Sequence, residues 1–220
     1  MKTFVVNRKQ DVERREKITA QLDALGVEFE IVEAVDGRAL SDEAKRRLAD
    51  YAKMRRVLRV LSDGEIGCAA SHLRIYGKMA DEGIGEAMVF EDDARILAKC
   101  RAVLDGAGGL GETPRVRLLT NRKRGMLLTV GYIINLAGAR AMLKYNTPIW
   151  RVADCWESLA RRKLLRVDWS ESPLAEPDER AESVITPSGT PPHKIGLPND
   201  LASVLRREFW RLWYGIGLRV

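Results

Sequence analysis

The chain alternates between short apolar runs and longer stretches whose apolar residues recur every three or four positions. That pattern predicts strands and helices taking turns. Phe4 to Val6 is an apolar run that stops at Asn7-Arg8. Val12, Ile18, Leu22 and Leu25 follow at helical spacing, with Gly26 where a C-cap is expected. Phe29 to Val35 predicts a second strand, closed by the Asp36-Gly37 turn. Strand, helix and strand in that order form the unit from which parallel sheets are built. Ser41 caps a basic helix expected to run to about Val60. Ser62-Asp63-Gly64-Glu65 has capping-box spacing and opens a further helix that ends at Gly83. Ile66, Ala70, Leu73 and Gly77 lie on one side of this helix as expected core. Glu65, Cys68, His72 and Tyr76 lie on a neighbouring side, three or four residues apart.

Ala87 to Phe90 is an apolar run long enough for one buried strand, and it ends abruptly in Glu91, Asp92 and Asp93. No Lys or Arg lies between Lys78 and Asp93 to neutralise the three acids. Oxygen-rich clusters suit hard cations such as Mg2+ or Mn2+. In open α/β sheets, ligands sit beyond the carboxyl ends of strands. The acids therefore mark either a metal and phosphate site or a solvated acidic turn. Arg8, Arg14 and Arg15, close behind the first strand, either meet a diphosphate bidentately or form a solvated helix face.

Beyond the acids, residues 94 to 104 read as helical and Gly106 to Gly111 as a glycine-rich loop without a phosphate-cradle pattern. Val116 to Thr120 predicts a strand, residues 121 to 125 a basic turn, and Leu127 to Leu136 a strand with Gly131-Tyr132 in its middle. Ala137 to Leu143 begins a helix that Pro148 breaks. Asp154 stands near the start of another helical segment, as a cap or as a base aimed into a site. Val167 to Trp169 is a late strand. Six of the eight prolines fall between Glu171 and Pro198, which predicts an extended linker. Leu201, Leu205, Phe209, Leu212 and Ile216 then repeat at helical spacing among tryptophans and arginines. Such a basic amphipathic helix either binds an anionic membrane surface or docks on protein. The expected organisation is one domain over residues 1–170, a Pro-rich linker over 171–199 and a basic C-terminal helix over 200–220.

Composition narrows the partners. With 220 residues, 45% of them hydrophobic, the chain supports one medium domain with a real core. The net charge of +6 and pI near 9.3 suit an acidic partner. Nucleic acid is disfavoured, because basic and aromatic residues are not interleaved on a predicted sheet. Three widely spaced cysteines without a CxxC pair argue for a reducing compartment and against a disulfide framework. Two histidines make a His-rich zinc site improbable. No apolar run approaches the ~20 residues of a membrane span, and the start of the chain has no signal-peptide pattern. The expected location is cytoplasmic, peripheral on the inner membrane face.

Several segments, in order, resemble glycosyltransferase family 25, the lipooligosaccharide-type sugar transferases. They are Val5-Val6-Asn7-Arg8 with Arg14-Arg15, then Ala34-Val35-Asp36-Gly37, then Leu61 to Cys68 with Ser71-His72. Val89-Phe90-Glu91-Asp92-Asp93 and Gly131-Tyr132-Ile133-Ile134 with Gly138-Ala139 follow, and Val152-Ala153-Asp154 is a weaker match. The resemblance implies an α/β, GT-A type Rossmann-like nucleotide-sugar fold, with a mainly parallel central sheet flanked by helices. It implies inverting transfer of a hexose, typically galactose from UDP-galactose, onto a lipid-linked glycan such as lipooligosaccharide core. The partners would be a UDP-sugar donor and a glycolipid or oligosaccharide acceptor. Glu91-Asp92-Asp93 matches the place of a DxD motif, so Asp93 and Glu91 would hold Mn2+ or Mg2+. Asn7, Arg8, Arg15, Ala34, Asp36, Gly37, Glu91 and Asp92 would bind the nucleotide sugar. Asp154 is the first candidate base and His72 the second; His72 alternatively holds the acidic strand by hydrogen bonding. A nucleotide-sugar-binding protein without transferase activity is the alternative.

Overall fold

The computed structural model describes residues 1–105, 109–120 and 129–178. The chain opens with β1 (Lys2–Asn7), α1 (Val12–Ala24) and β2 (Glu30–Glu33). Next come three helices, α2 (Asp42–Leu48), α3 (Tyr51–Arg56) and α4 (Asp63–Glu82), and then β3 (Glu86–Glu91). A short β4 (Ala94–Ile96), α5 (Cys100–Asp105), β5 (Arg115–Leu118), β6 (Gly131–Asn135) and α6 (Leu136–Asn146) follow. The described fold ends with α7 (Trp156–Arg161), β7 (Arg166–Trp169) and β8 (Ala175–Pro177).

Six strands form one sheet in the order β2-β1-β3-β6-β5-β7. Only β6 runs against its neighbours, so the sheet is mainly parallel and the expected α/β class holds. Alternation along β1 sends Phe4 and Val6 to one face and Val5 to the other. The first face packs on Ile75, Tyr76 and Met79 of α4 and on Met142 of α6. The second packs on Ile18 and Leu22 of α1. Helices thus cover both faces, as a parallel sheet requires.

The chain leaves β1 for β2 on one side and returns to β3 on the other. This reversal opens a crevice beyond the carboxyl ends of β1 and β3, the position where ligands bind in open α/β sheets. Its far wall is the turn after β2, seated directly on α4. A Cβ added to Gly37 would lie 1.8 Å from the Asp63 carbonyl oxygen, and one on Gly67 2.4 Å from the Val35 carbonyl oxygen. Backbone therefore touches backbone here. Ser71 Oγ accepts the Val35 N–H at 2.8 Å and donates to the Gly67 carbonyl at 2.7 Å, fastening the contact.

Three boundaries differ from the sequence pattern. The basic stretch after Ser41 forms two helices, because Ala49 is extended and bridges Ile149 while Asp50 accepts the Lys53 N–H at 2.8 Å and caps a new helix. After the acids the chain turns into β4, paired antiparallel with β8, before any helix begins. Burial there alternates at Ala94, Arg95 and Ile96, which is strand periodicity. Leu174 and Ala175 are buried, so the folded domain runs through Pro177, past the expected limit at residue 170. The rest of the expected linker and the C-terminal helix lie outside the described residues, as do residues 106–108 and 121–128. Among the described residues no helix is long and apolar enough to cross a membrane.

Candidate active site

Parallel pairing of β1 with β3 sets Val6 beside Glu91, so Asn7 and the acids emerge together. The crevice between them spans about 700 Å3, counting space open to solvent. Its walls include Arg8, Arg14, Ala34, Asp36, Gly37, Cys68 and all three acids. Residues separated by up to 85 positions in sequence are thereby brought to one place.

The wall around Arg8 and Asp36 is pre-ordered by charge. Arg8 donates to both carboxylate oxygens of Asp11, at 2.7 and 2.9 Å, and reaches Asp36 at 3.5 Å. Its pKa is raised, chiefly by the hydrogen bond to Asp11. Asp36 is held below the usual carboxylate range: burial opposes this, but the Arg38 amide, Gln10 and Arg8 outweigh it. Asn7 is buried and its Nδ2 donates to Asp92 at 2.7 Å. Arg14 pairs with the other Asp92 oxygen at 3.3 Å. Arg15 is half-buried on α1 but is not among the cleft-lining residues, whereas Arg14 is. Asp11 and Arg38 also line the cleft and were not singled out by sequence; adjacency to Arg8 and to Gly37 was the available signal.

A buried chain of hydrogen bonds fixes Glu91. Tyr76 Oη and Tyr132 Oη are 2.9 Å apart, Tyr132 Oη is 2.7 Å from His72 Nδ1, and His72 Nε2 is 3.2 Å from Glu91 Oε1. Thr129 Oγ1 donates to the same carboxylate oxygen, and Cys68 Sγ lies 3.8 Å from it. One assignment satisfies every link: Tyr76 donates to Tyr132, Tyr132 to Nδ1, and Nε2–H to Glu91. The fold makes this possible. Cys68, His72 and Tyr76 are successive turns of one α4 stripe. Tyr132 sits opposite Val89, on the sheet face shared by Val89 and Glu91. A tyrosine hydroxyl within a buried strand needs a partner, and that was the sequence signal for Tyr132.

Burial pushes the Glu91 carboxyl up, but the bonds from His72 and Thr129 bring it below its ordinary value. Burial and the Glu91 charge drive the Cys68 thiol well above its ordinary value. The ligand atoms of Cys68, His72 and Glu91 lie within 4.8 Å of one another, but both imidazole nitrogens are engaged in hydrogen bonds. His72 is 1% exposed and faces Glu91 and Tyr132, not open space.

At this end of the sheet Asn7 and Asp93 each have a buried oxygen, Oδ1 in both, without a hydrogen-bond partner among the described residues. Burial, then the charges of Glu91 and Asp92, push the Asp93 carboxyl up to about 7. Among the described residues Glu91 Oε2 also takes no hydrogen bond, all three donors converging on Oε1. An orphaned carboxylate oxygen beside a second carboxylate, both hard donors, fits a divalent cation. Asp154 lies on the loop before α7, and its carboxyl is raised to about 6 by burial and by the Glu91 charge.

These residues are the segments that carry the family resemblance. Residues 1–107 match the model of glycosyltransferase family 25, described as LPS biosynthesis protein. The chain belongs to glycosyltransferase family 25. It is 31% identical over 214 residues to a glycosyltransferase 25 family member of Anopheles gambiae, covering 78% of this chain and 35% of that one. It is 26% identical over 250 residues to procollagen galactosyltransferase 2 of Homo sapiens, covering 94% and 37%. Over 111 residues it is 32% identical to inactive glycosyltransferase 25 family member 3 of Homo sapiens, covering 46% and 18%. This family 25 chain therefore spans between 18% and 37% of these relatives' lengths.

Proposed function

We propose that the chain is a glycosyltransferase of GT-A type that moves a hexose, galactose from UDP-galactose, onto a lipid-linked glycan with inversion. The observation that carries this reading is the convergence of Arg8, Asp36 and the three acids on the crevice between β1 and β3. The family's description as LPS biosynthesis protein supports the lipid-linked acceptor, and the name of the human procollagen galactosyltransferase supports galactose.

Asp93 and the free edge of Glu91 would hold Mn2+ or Mg2+, which when bound takes up negative charge on the departing diphosphate. The Tyr76–Tyr132–His72 chain orients Glu91 for that task. Arg8 and Arg14 supply positive charge along the same wall. Inversion needs one base to take the proton of the acceptor hydroxyl as its oxygen bonds to the sugar's anomeric carbon and the bond to UDP breaks. Asp154 fills that role, since its pKa near 6 leaves it ionised at neutral pH yet basic enough to accept a proton. His72 is committed to Glu91.

The test is a donor screen by UDP release from the full chain, with glycolipid, oligosaccharide and collagen-type peptide acceptors, with EDTA or Mn2+. The reading expects acceptor-dependent release from UDP-galactose that EDTA suppresses. The inactive human relative favours a second reading, nucleotide-sugar binding without transfer. UDP binding with no release on any acceptor selects it. The cytoplasmic, membrane-peripheral location belongs to the same proposal.

A further inference from the structure

The helices α2 and α3 do little for the core. Of their thirteen residues only Met54 is buried, and six are basic: Lys45, Arg46, Arg47, Lys53, Arg55 and Arg56. Some of that charge is used locally. Lys45 binds Asp63 at 2.7 Å, Arg47 binds Glu43, and Lys53 Nζ sits 4.0 Å from the Trp150 ring centre. The side chains of Arg55 and Arg56 are exposed and, among the described residues, form no hydrogen bond or ion pair.

The second residue after α3, Leu58, is the anomaly. Leu58 N–H bonds to the Arg55 carbonyl at 3.0 Å and Arg59 N–H to the Met54 carbonyl at 3.1 Å. That pair of bonds is the helix-terminating motif whose left-handed position normally holds glycine. Leu58 occupies it with φ of 55° and is 71% exposed. A branched side chain there strains the backbone and gains little burial among the described residues. An isobutyl group held out between arginines has a use against a surface that is both apolar and anionic. A soluble polyanion matches the arginines but offers Leu58 nothing. An anionic bilayer matches both. The lip also adjoins the cleft: Arg59, next to Leu58, pairs with Glu65 at 2.5 Å, beside cleft-lining Gly64.

We propose that Arg55, Arg56 and Leu58 form a lip that seats the domain on an anionic lipid surface. The contact itself stands on the surface chemistry; that it presents a lipid-linked acceptor to the cleft rests on the transfer reading above.

The experiment is co-sedimentation of the full chain with vesicles of phosphatidylcholine alone and of phosphatidylcholine with 30% phosphatidylglycerol, a composition of about the anionic content of a cytoplasmic leaflet. The parent is expected to bind the anionic vesicles. Leu58→Gly should weaken that binding about tenfold, the partitioning of one leucine side chain. It should melt no lower than the parent, because glycine relieves the strain. Arg55→Ala and Arg56→Ala should each weaken it about fivefold. No binding by the parent, or equal binding by parent and Leu58→Gly, overturns the proposal. Loss in the arginine variants alone also overturns it and assigns the patch to a soluble polyanion. These outcomes are read without turnover, so they separate from failure of the transferase reading.

Discussion

The contact between the turn after β2 and the start of α4 can be tested by one methyl group. In Gly37→Ala the new Cβ would lie 1.8 Å from the Asp63 carbonyl oxygen and 3.0 Å from the Gly67 amide nitrogen. Both are backbone atoms, so no rotamer change relieves the clash. The turn must retreat from α4 by more than 1 Å, on the order of the distance between a full overlap and a normal contact. Overpacking of that kind costs about 1–3 kcal/mol. The retreat also lengthens the 2.8 Å bond from the Val35 amide to Ser71, whose loss adds about 1 kcal/mol. For a domain of this size each kcal/mol lowers Tm by about 2–4 °C, so a drop of about 5–15 °C is expected. Asp36 moves with the turn, and a displacement of about 1 Å in a binding wall can cost up to ~100-fold in turnover. The control is Gly77→Ala in the middle of α4, where an added Cβ meets nothing within 4 Å. Alanine there should stabilise by about 0.5–1 kcal/mol. Urea or thermal melts of the two variants should therefore shift in opposite directions. If Gly37→Ala melts at or above the parent, the backbone-to-backbone seating is wrong.

Other expectations follow from the same geometry. Asp93→Ala should abolish sugar transfer while melting no lower than the parent, because it removes a buried carboxyl crowded by Glu91 and Asp92; purified variant that still turns over sinks the ligand assignment. Asp154 is raised to about 6, so it is protonated below that pH and can accept a proton only above it. The transfer rate should accordingly fall as pH drops through about 6, and Asp154→Asn should lose both the activity and that limb of the profile. Tyr132→Phe strips His72 Nδ1 of its donor and Tyr76 of its acceptor; a buried polar group left unpaired costs about 1–3 kcal/mol, to be read by urea melts, with no loss disproving the relay.

Local signals carried much of this fold. Ser62 and Glu65 announce α4, and both halves of the capping box are present. Apolar runs at Phe4–Val6 and Ala87–Phe90 announce β1 and β3, because a strand buried on both faces needs no polar alternation. Where local preference and tertiary pairing disagreed, pairing prevailed. Residues 94–96 look helical in isolation but form β4, since β8 supplies a partner from eighty residues away. The basic stretch after Ser41 looks like one helix, but Ile149 draws Ala49 out of it.

The acids themselves were fully visible in sequence, as was their likeness to a DxD motif. Their division of labour was not. Three adjacent carboxylates have nearly equal chemistry until each meets its surroundings. Only the packed structure gives Asp92 to Asn7 and Arg14, gives Glu91 to a buried chain running through His72 and Tyr132, and leaves Asp93 with an unpaired oxygen. Periodicity can place a residue on a strand end or a helix face, because those follow from local geometry. Which hydrogen bonds it receives, and how far burial raises its pKa, depends on residues brought together from distant parts of the chain, and only the tertiary fold decides that.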